Sequence, residues 1–271
     1  MFTACSPFPG IFHITDEMGV SFTLVEGEDS ALVFDAGYGT EDVASFLRTL
    51  TDKPFELILS HGHHDHMLGA QWFDHSLMDA ADLDEFRLRA GSGQREKVRR
   101  QADERGVTPH DGFMTAEIPE PLPLKYLDTV GPFDCSVYDL GNREAWVLRV
   151  LGHTPGSVVL YVPELRLLLT GDDWNPCTWM WFPCSLPVRQ WHATMIRLLS
   201  ALEKEAGGEV LHVLCSHQPN LREGAELKEY LAWVTEDRLQ SAPYVDTGTP
   251  INAHEMTDPG RGWALRFDAD K

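Results

Sequence analysis

The chain has 271 residues, 43% of them hydrophobic and 24% charged, with a formal net charge of −20. That length suits one large core or two smaller ones. So acidic a surface is a poor match for a polyphosphate backbone, which makes nucleic acid a disfavoured partner, and no apolar run reaches the length that spans a bilayer.

The opening residues lack a basic segment followed by an apolar one, so an unexported, cytoplasmic protein with no membrane partner is expected. Ser21 to Val25 and Ala31 to Phe34 read as short strands joined by a turn at Gly27-Glu28-Asp29. The second strand ends in Asp35. From Thr40 onward Val43, Phe46, Leu47 and Leu50 fall at helical spacing. The run Glu56 to Ser60 is a further strand, and the hexapeptide HGHHDH follows it directly at residues 61–66.

Imidazole and carboxylate are the donors that hold borderline ions such as zinc. In extended chain, residues i and i+2 share a side, so His61 and His63 can converge on one ion. Where the chain turns into a helix, Asp65 and His66 swing toward a second. By the same pleat His64 points away. It joins His13, His75, His110, His192, His212 and His254 as histidines with structural roles.

Residues 79–106 are the basic part of the chain, carrying Arg87, Arg89, Arg95, Lys97, Arg99, Arg100 and Arg105 among acids. Gly91-Ser92-Gly93 separates two predicted helices there. A solvated, ion-paired helical pair is the first expectation; a cap whose arginines receive an anionic substrate is the sharper one. With the Pro-rich stretch that follows, residues 79–123 read as an insertion in a single domain spanning 1–271.

Strands are predicted again at 137–140, 145–150, 157–162 and 165–170, then a helix over 191–205, a strand over 210–215 and a helix over 223–240. The remainder is turn-rich, with one closing strand near 263–267. His153 lies between two of these strands, Asp172 ends another, and His217 follows the strand at 210–215. Every candidate ligand therefore sits where a strand stops. Asp173, beside Asp172, is expected to face solvent. Trp174, Trp179, Trp181 and Phe182 crowd after Asp172 and are candidates to wall a substrate pocket, or else to pack in the core or at a homodimer interface. The five cysteines, at 5, 135, 177, 184 and 215, are odd in number and form no CxxC pair, so buried free thiols are expected.

In this order, a strand-terminal Asp35, HGHHDH, Gly152-His153-Thr154-Pro155-Gly156-Ser157, Thr170-Gly171-Asp172 and a late His217 resemble the metallo-β-lactamase superfamily of hydrolases, over about residues 10–220. The resemblance implies an α/β four-layer αββα sandwich. It implies that His61, His63 and His153 hold one metal, that Asp65, His66 and His217 hold a second, and that Asp172 bridges them. Asp35 would orient ligands from behind. Two divalent ions, zinc by default with iron or manganese as alternatives, would supply a metal-bound hydroxide, with Asp65 and Asp172 as the catalytic carboxylates. Hydrolysis of a small-molecule ester, thioester or lactone is the expected function. A mononuclear iron dioxygenase acting on a persulfide and a phosphodiesterase of the same fold are the alternatives. One departure from the family is Met67-Leu68-Gly69, where relatives often carry two glycines.

Overall fold

A computed structural model describes residues 1–271. Two seven-stranded sheets form its centre. The first orders its strands Thr3–Phe8, Ile11–Thr15, Ser21–Glu26, Ala31–Phe34, Phe55–Ile58, Leu77–Met78 and Leu122–Pro123, each paired to the next. The second runs Arg222–Glu223, His212–Leu214, Leu167–Leu169, Val158–Val162, Glu144–Arg149, Phe133–Asp139 and Asp128–Val130.

Side-chain alternation builds the layers. Val25, Leu32, Phe34 and Ile58 of the first sheet meet Val147, Val158, Leu160, Val162, Leu167, Leu169 and Leu214 of the second in one buried cluster between the sheets. Their neighbours one residue away, Leu24, Val33, Leu57 and Leu59, turn outward against Val43, Leu47, Phe86 and Val98. On the far side Leu148, Val159, Tyr161, Leu168 and Val213 pack under Trp191, Met195, Leu198 and Leu202 of the helix Val188–Glu205 and Leu227 of the helix Gly224–Trp233. Strands apolar on both faces, as these are, need covering on both sides. The result is the αββα sandwich.

Several elements differ from expectation. The first helix spans only Val43–Leu47. The predicted helix at 223–240 is two, Gly224–Trp233 and Glu236–Ser241, parted where Val234 adopts extended backbone and Thr235 caps the second helix by accepting from the Arg238 N–H. A third sheet, absent from the sequence reading, pairs Cys177–Met180 in parallel with Trp263–Asp268, which in turn pairs antiparallel with Ala253–Asp258. Residues 79–123 hold the helices Leu83–Ala90 and Ser92–Glu104 and end on the edge of the first sheet. No helix is long and apolar enough to cross a membrane.

Strand direction gathers the site. Ala31–Phe34 and Phe55–Ile58 run parallel, as do Leu167–Leu169 and His212–Leu214, so Asp35, His61, Asp172 and His217 leave at C-terminal strand ends. Val158–Val162 runs antiparallel to Leu167–Leu169, with Val162 opposite Leu167 and Leu160 opposite Leu169, which brings His153 and its loop to the same edge.

Candidate metal centre

All seven candidate ligands converge at this edge. His61, His63 and His153 form one group and Asp65, His66 and His217 another, with ligand atoms of each group within 4.8 Å of one another. Asp172 lies between them: its Oδ2 is 3.3 Å from His66 Nε2 and 3.7 Å from His153 Nε2, and its Oδ1 is 3.1 Å from His217 Nε2. His63 Nδ1 is 2.9 Å from His153 Nε2. Nε2 of His61 and Nε2 of His66 are buried with no hydrogen-bond partner. Orphaned buried nitrogens are costly, and a cluster of nitrogens and carboxylates aimed at one another suits a divalent ion.

The groups behind the ligands set their orientation. Asp35 takes a left-handed backbone conformation, φ 67°, a strained choice for a residue other than glycine. From there Oδ1 accepts from the Ser60 N–H at 2.7 Å, while Oδ2 accepts from the Ser60 hydroxyl at 2.7 Å and from His66 Nδ1 at 2.9 Å. His153 Nδ1 donates to the Trp179 carbonyl at 2.7 Å. Each contact leaves the opposite ring nitrogen facing the cluster. A side chain at Gly69 would place its Cβ 2.0 Å from the Ala36 carbonyl oxygen, so the helix turn carrying the ligands is packed hard against the strand end that carries Asp35.

Electrostatics divide the histidines into two sets. Burial, then mutual repulsion among the rings, holds His61 and His63 well below the usual imidazole range; burial dominates for His153 as well. Burial also opposes the charged forms of His66 and His217, but the Asp172 and Asp65 carboxylates outweigh it and raise both. Asp172 itself is held well below the ordinary carboxylate range, because His217 and His66 overcome the cost of its burial.

A cavity of about 400 Å³ opens over the ligands. Tyr38, Trp179 and Phe182 supply aromatic wall, and Arg89 a cation. Phe182 stands edge-on to His63, ring centroids 4.9 Å apart. Trp181 stacks on Phe182 at 4.7 Å and does not line the cavity itself. Trp174 is a correction: it is fully buried among the second sheet's helices, 6.0 Å from the Tyr230 ring. The turn closed by the Thr170 hydroxyl on the Trp174 carbonyl, at 2.7 Å, directs it inward. Trp179 instead sits on the third sheet, whose alternation buries Thr178 and Met180 and exposes Cys177 and Trp179.

Asp173 also departs from expectation. It is buried, its Oδ1 accepts from the His153 N–H at 3.0 Å, and burial pushes its carboxyl up to about 7. His64, expected to point away, lines the cavity at 5.6 Å from the Tyr38 ring but belongs to neither ligand group. Only Cys135 and Cys215 of the five free cysteines are buried; Cys5 and Cys177 are exposed. Three of the arginines are engaged elsewhere: Arg87 with Glu120 and Arg99 with Glu96 and Asp103 at the surface, and half-buried Arg95 with the backbone carbonyls of Phe113 and Ala116. Arg89 alone of the group reaches the cavity.

Sequence reasoning passed over Asp82. It is fully buried and accepts from the Gly62 N–H at 2.8 Å, the Thr154 hydroxyl at 2.6 Å and the Gly156 N–H at 2.6 Å. One carboxylate thus ties the His61–His66 loop to the His153 loop. Its signal in the sequence, one acid among many in a charged helical stretch, is too weak to find it.

The sequence model of the metallo-beta-lactamase superfamily matches residues 15–173. The chain belongs to that superfamily. Acyl-coenzyme A thioesterase MBLAC2 of Gallus gallus is 28% identical over 193 residues, covering 62% of this chain and 66% of that protein. Its Homo sapiens counterpart is 27% identical over 195 residues, covering 62% of this chain and 67% of the other. The chain thus spans about two thirds of the length of the curated relatives it matches. Among solved structures, a metallo-beta-lactamase from Pontibacter korlensis superposes with a TM-score of 0.58 at 15% identity, covering 86% of this chain and 98% of that one. The sec-alkylsulfatase Pisa1 from Pseudomonas sp. gives 0.61 at 14% identity, covering 86% of this chain and 40% of that one. At such identities these structures speak for the fold.

Proposed function

We propose that the protein is a dinuclear metal-dependent hydrolase of acyl thioesters, with an apolar acyl group seated in the aromatic cavity. The observation that carries this is two complete three-residue ligand groups flanking Asp172 at the floor of that cavity. His61, His63 and His153 would hold one ion, and Asp65, His66 and His217 the other, with Asp172 shared. Two complete groups favour a pair of ions over a single iron. Zinc is the proposed metal, because imidazole and carboxylate donors suit it. Bound there, the ions would supply an acidified water and a Lewis acid for the scissile carbonyl.

The chain's own residues bind and orient. Tyr38, Trp179 and Phe182 offer an apolar wall to the acyl chain. Burial, then the nearby Asp65 and Asp16, keep the Tyr38 hydroxyl protonated, so it stays a donor in the cavity wall. Arg89, paired with Glu85 at 2.6 Å, brings its guanidinium to the same wall, where its remaining N–H groups suit an anionic portion of the substrate. Residues 79–123, which bring Arg89 and Gln101 to the cavity, act as its cap. A net charge of −20 opposes a nucleic-acid substrate, and the similarity to acyl-coenzyme A thioesterases supports thioesters over simple esters and lactones.

The test is a substrate panel on zinc-loaded protein: acyl-coenzyme A thioesters of graded chain length, a simple ester, a lactone and a phosphodiester. Thioester hydrolysis that rises with acyl length and vanishes in Asp172→Ala is expected. Preferential cleavage of the phosphodiester, or full activity in Asp172→Ala, overturns the assignment.

A further inference from the structure

His63 faces two ways. Its Nδ1 lies 2.9 Å from His153 Nε2, within the two-ion cluster. Its Nε2 points outward, 3.6 Å from Cys184 Sγ and 3.5 Å from Glu85 Oε1. One atom each from His63, Glu85 and Cys184 lie within 4.8 Å of one another. His63 is buried, and Glu85 and Cys184 are half-buried beside it. None of this second group except His63 belongs to the dinuclear set.

We propose that His63, Glu85 and Cys184 form an outer site for a zinc-class ion, and that filling it inhibits the enzyme by drawing His63 away from the inner cluster. The donor set is one sulfur, one nitrogen and one oxygen, which suits zinc and cobalt over magnesium or calcium. Spacing agrees: bonds of about 2.0 to 2.3 Å put the edges of a tetrahedron at about 3.3 to 3.8 Å, and the two separations from His63 Nε2 are 3.5 and 3.6 Å. Three protein donors leave a fourth position for water.

The Glu85 carboxylate stands beside the same imidazole as the sulfur, and an ion that binds there displaces the Cys184 thiol proton to solvent as the metal–sulfur bond forms. Arg89, whose Nη2 lies 2.6 Å from Glu85 Oε1, is the present counter-charge and gives up that oxygen to the ion. A neutral imidazole carries one lone pair. An ion on Nε2 requires the single ring proton to move to Nδ1, and Nδ1, once protonated, can no longer donate to the inner ion, so the inner cluster loses a ligand when the outer site fills.

Cobalt titration separates the two sites, because no sulfur lies among the seven inner ligands. Protein is loaded with two equivalents of Co²⁺, then given excess Co²⁺, while visible and near-ultraviolet absorption and thioester hydrolysis are followed. The expected result is a thiolate-to-cobalt charge-transfer band that appears only in the excess phase, with hydrolysis falling in step. The band is lost in Cys184→Ser, shifted to higher cobalt in Glu85→Gln and retained in Cys177→Ser, whose thiol also lines the cavity. No band in the wild-type protein, or a band that persists in Cys184→Ser, overturns the outer site. A band without loss of hydrolysis overturns its inhibitory role. The inhibitory role rests on the proposed hydrolysis; the band does not, so protein that shows the band yet cleaves no thioester refutes the function and leaves the site standing.

Discussion

Asp35, just past the strand Ala31–Phe34, and His66, in the helical turn His64–Met67, meet at 2.9 Å through Oδ2 and Nδ1, both fully buried. The carboxylate fixes which ring nitrogen carries the proton and so presents Nε2 of His66 to the second ion. Asp35→Asn keeps the shape but replaces one acceptor with a donor, and His66 Nδ1 then meets an amide in one orientation or loses its partner in the other. Affinity for the second ion is expected to fall about 10- to 100-fold, with the first less affected. Competition against a chelator of known affinity, with both equivalents resolved, checks this; equal weakening of both ions contradicts the division into two groups.

Metal uptake carries a pH signature. His66 and His217 are raised in the metal-free protein, while His61, His63 and His153 are lowered. At neutral pH the first group is already neutral and takes its ion with little proton release. The second group keeps its protons to higher pH than the first, and the ion must displace them, so its affinity rises with pH until the raised pKa values are passed. Calorimetry in two buffers of different ionisation enthalpy reads the protons released per ion. More protons released by the ion at His61, His63 and His153 than by the other would contradict this ordering.

The aromatic segment separates recognition from stability. Phe182→Ala removes cavity wall, and the expected change is a rise in KM that grows with acyl chain length, at unchanged unfolding midpoint. Trp174→Ala removes a core ring, and the expected loss is about 3 to 5 kcal/mol of stability without a chain-length-dependent KM. Denaturant unfolding and steady-state kinetics on both variants check the contrast.

Asp82→Ala strips a partner from two backbone N–H groups and a hydroxyl at once. Buried donors left unpaired cost about 1 to 3 kcal/mol each before relaxation or water entry, so destabilisation on the order of 3 kcal/mol is expected. Because both loops that Asp82 joins carry first-group ligands, affinity for the first ion should fall more than for the second. Asp82→Asn, which keeps one acceptor, should recover part of each loss.

How much of this was legible in the sequence follows from distance along the chain. Asp35, His61, Asp172 and His217 announce themselves because each follows an apolar strand, and strand direction alone brings them to one edge. The two core faces were legible as well, since Leu32, Val33 and Phe34 are apolar in succession, as a doubly covered strand must be. What escaped depends on remote partners. The strand Cys177–Met180 contains no long β-prone run and exists by pairing with Trp263–Asp268. Without that pairing the alternation that exposes Trp179 and the turn that buries Trp174 cannot be told apart. Asp173 was misread because its partner is the backbone N–H of His153, which leaves no mark on side-chain pattern. Glu85 and Arg89 look like an ordinary i,i+4 surface pair, and only the fold of the helix Leu83–Ala90 over His63 gives them another neighbour.

The pairing of Cys177–Met180 with Trp263–Asp268 also sets an order of assembly. Every candidate metal ligand has been synthesised by His217, whereas the strand that steadies Trp179 emerges from the ribosome later, and the amine of Lys271, bonded to the carbonyls of Phe182, Pro183 and Ser185, later still. A nascent chain can therefore gather its metal-binding side chains before its substrate wall is closed.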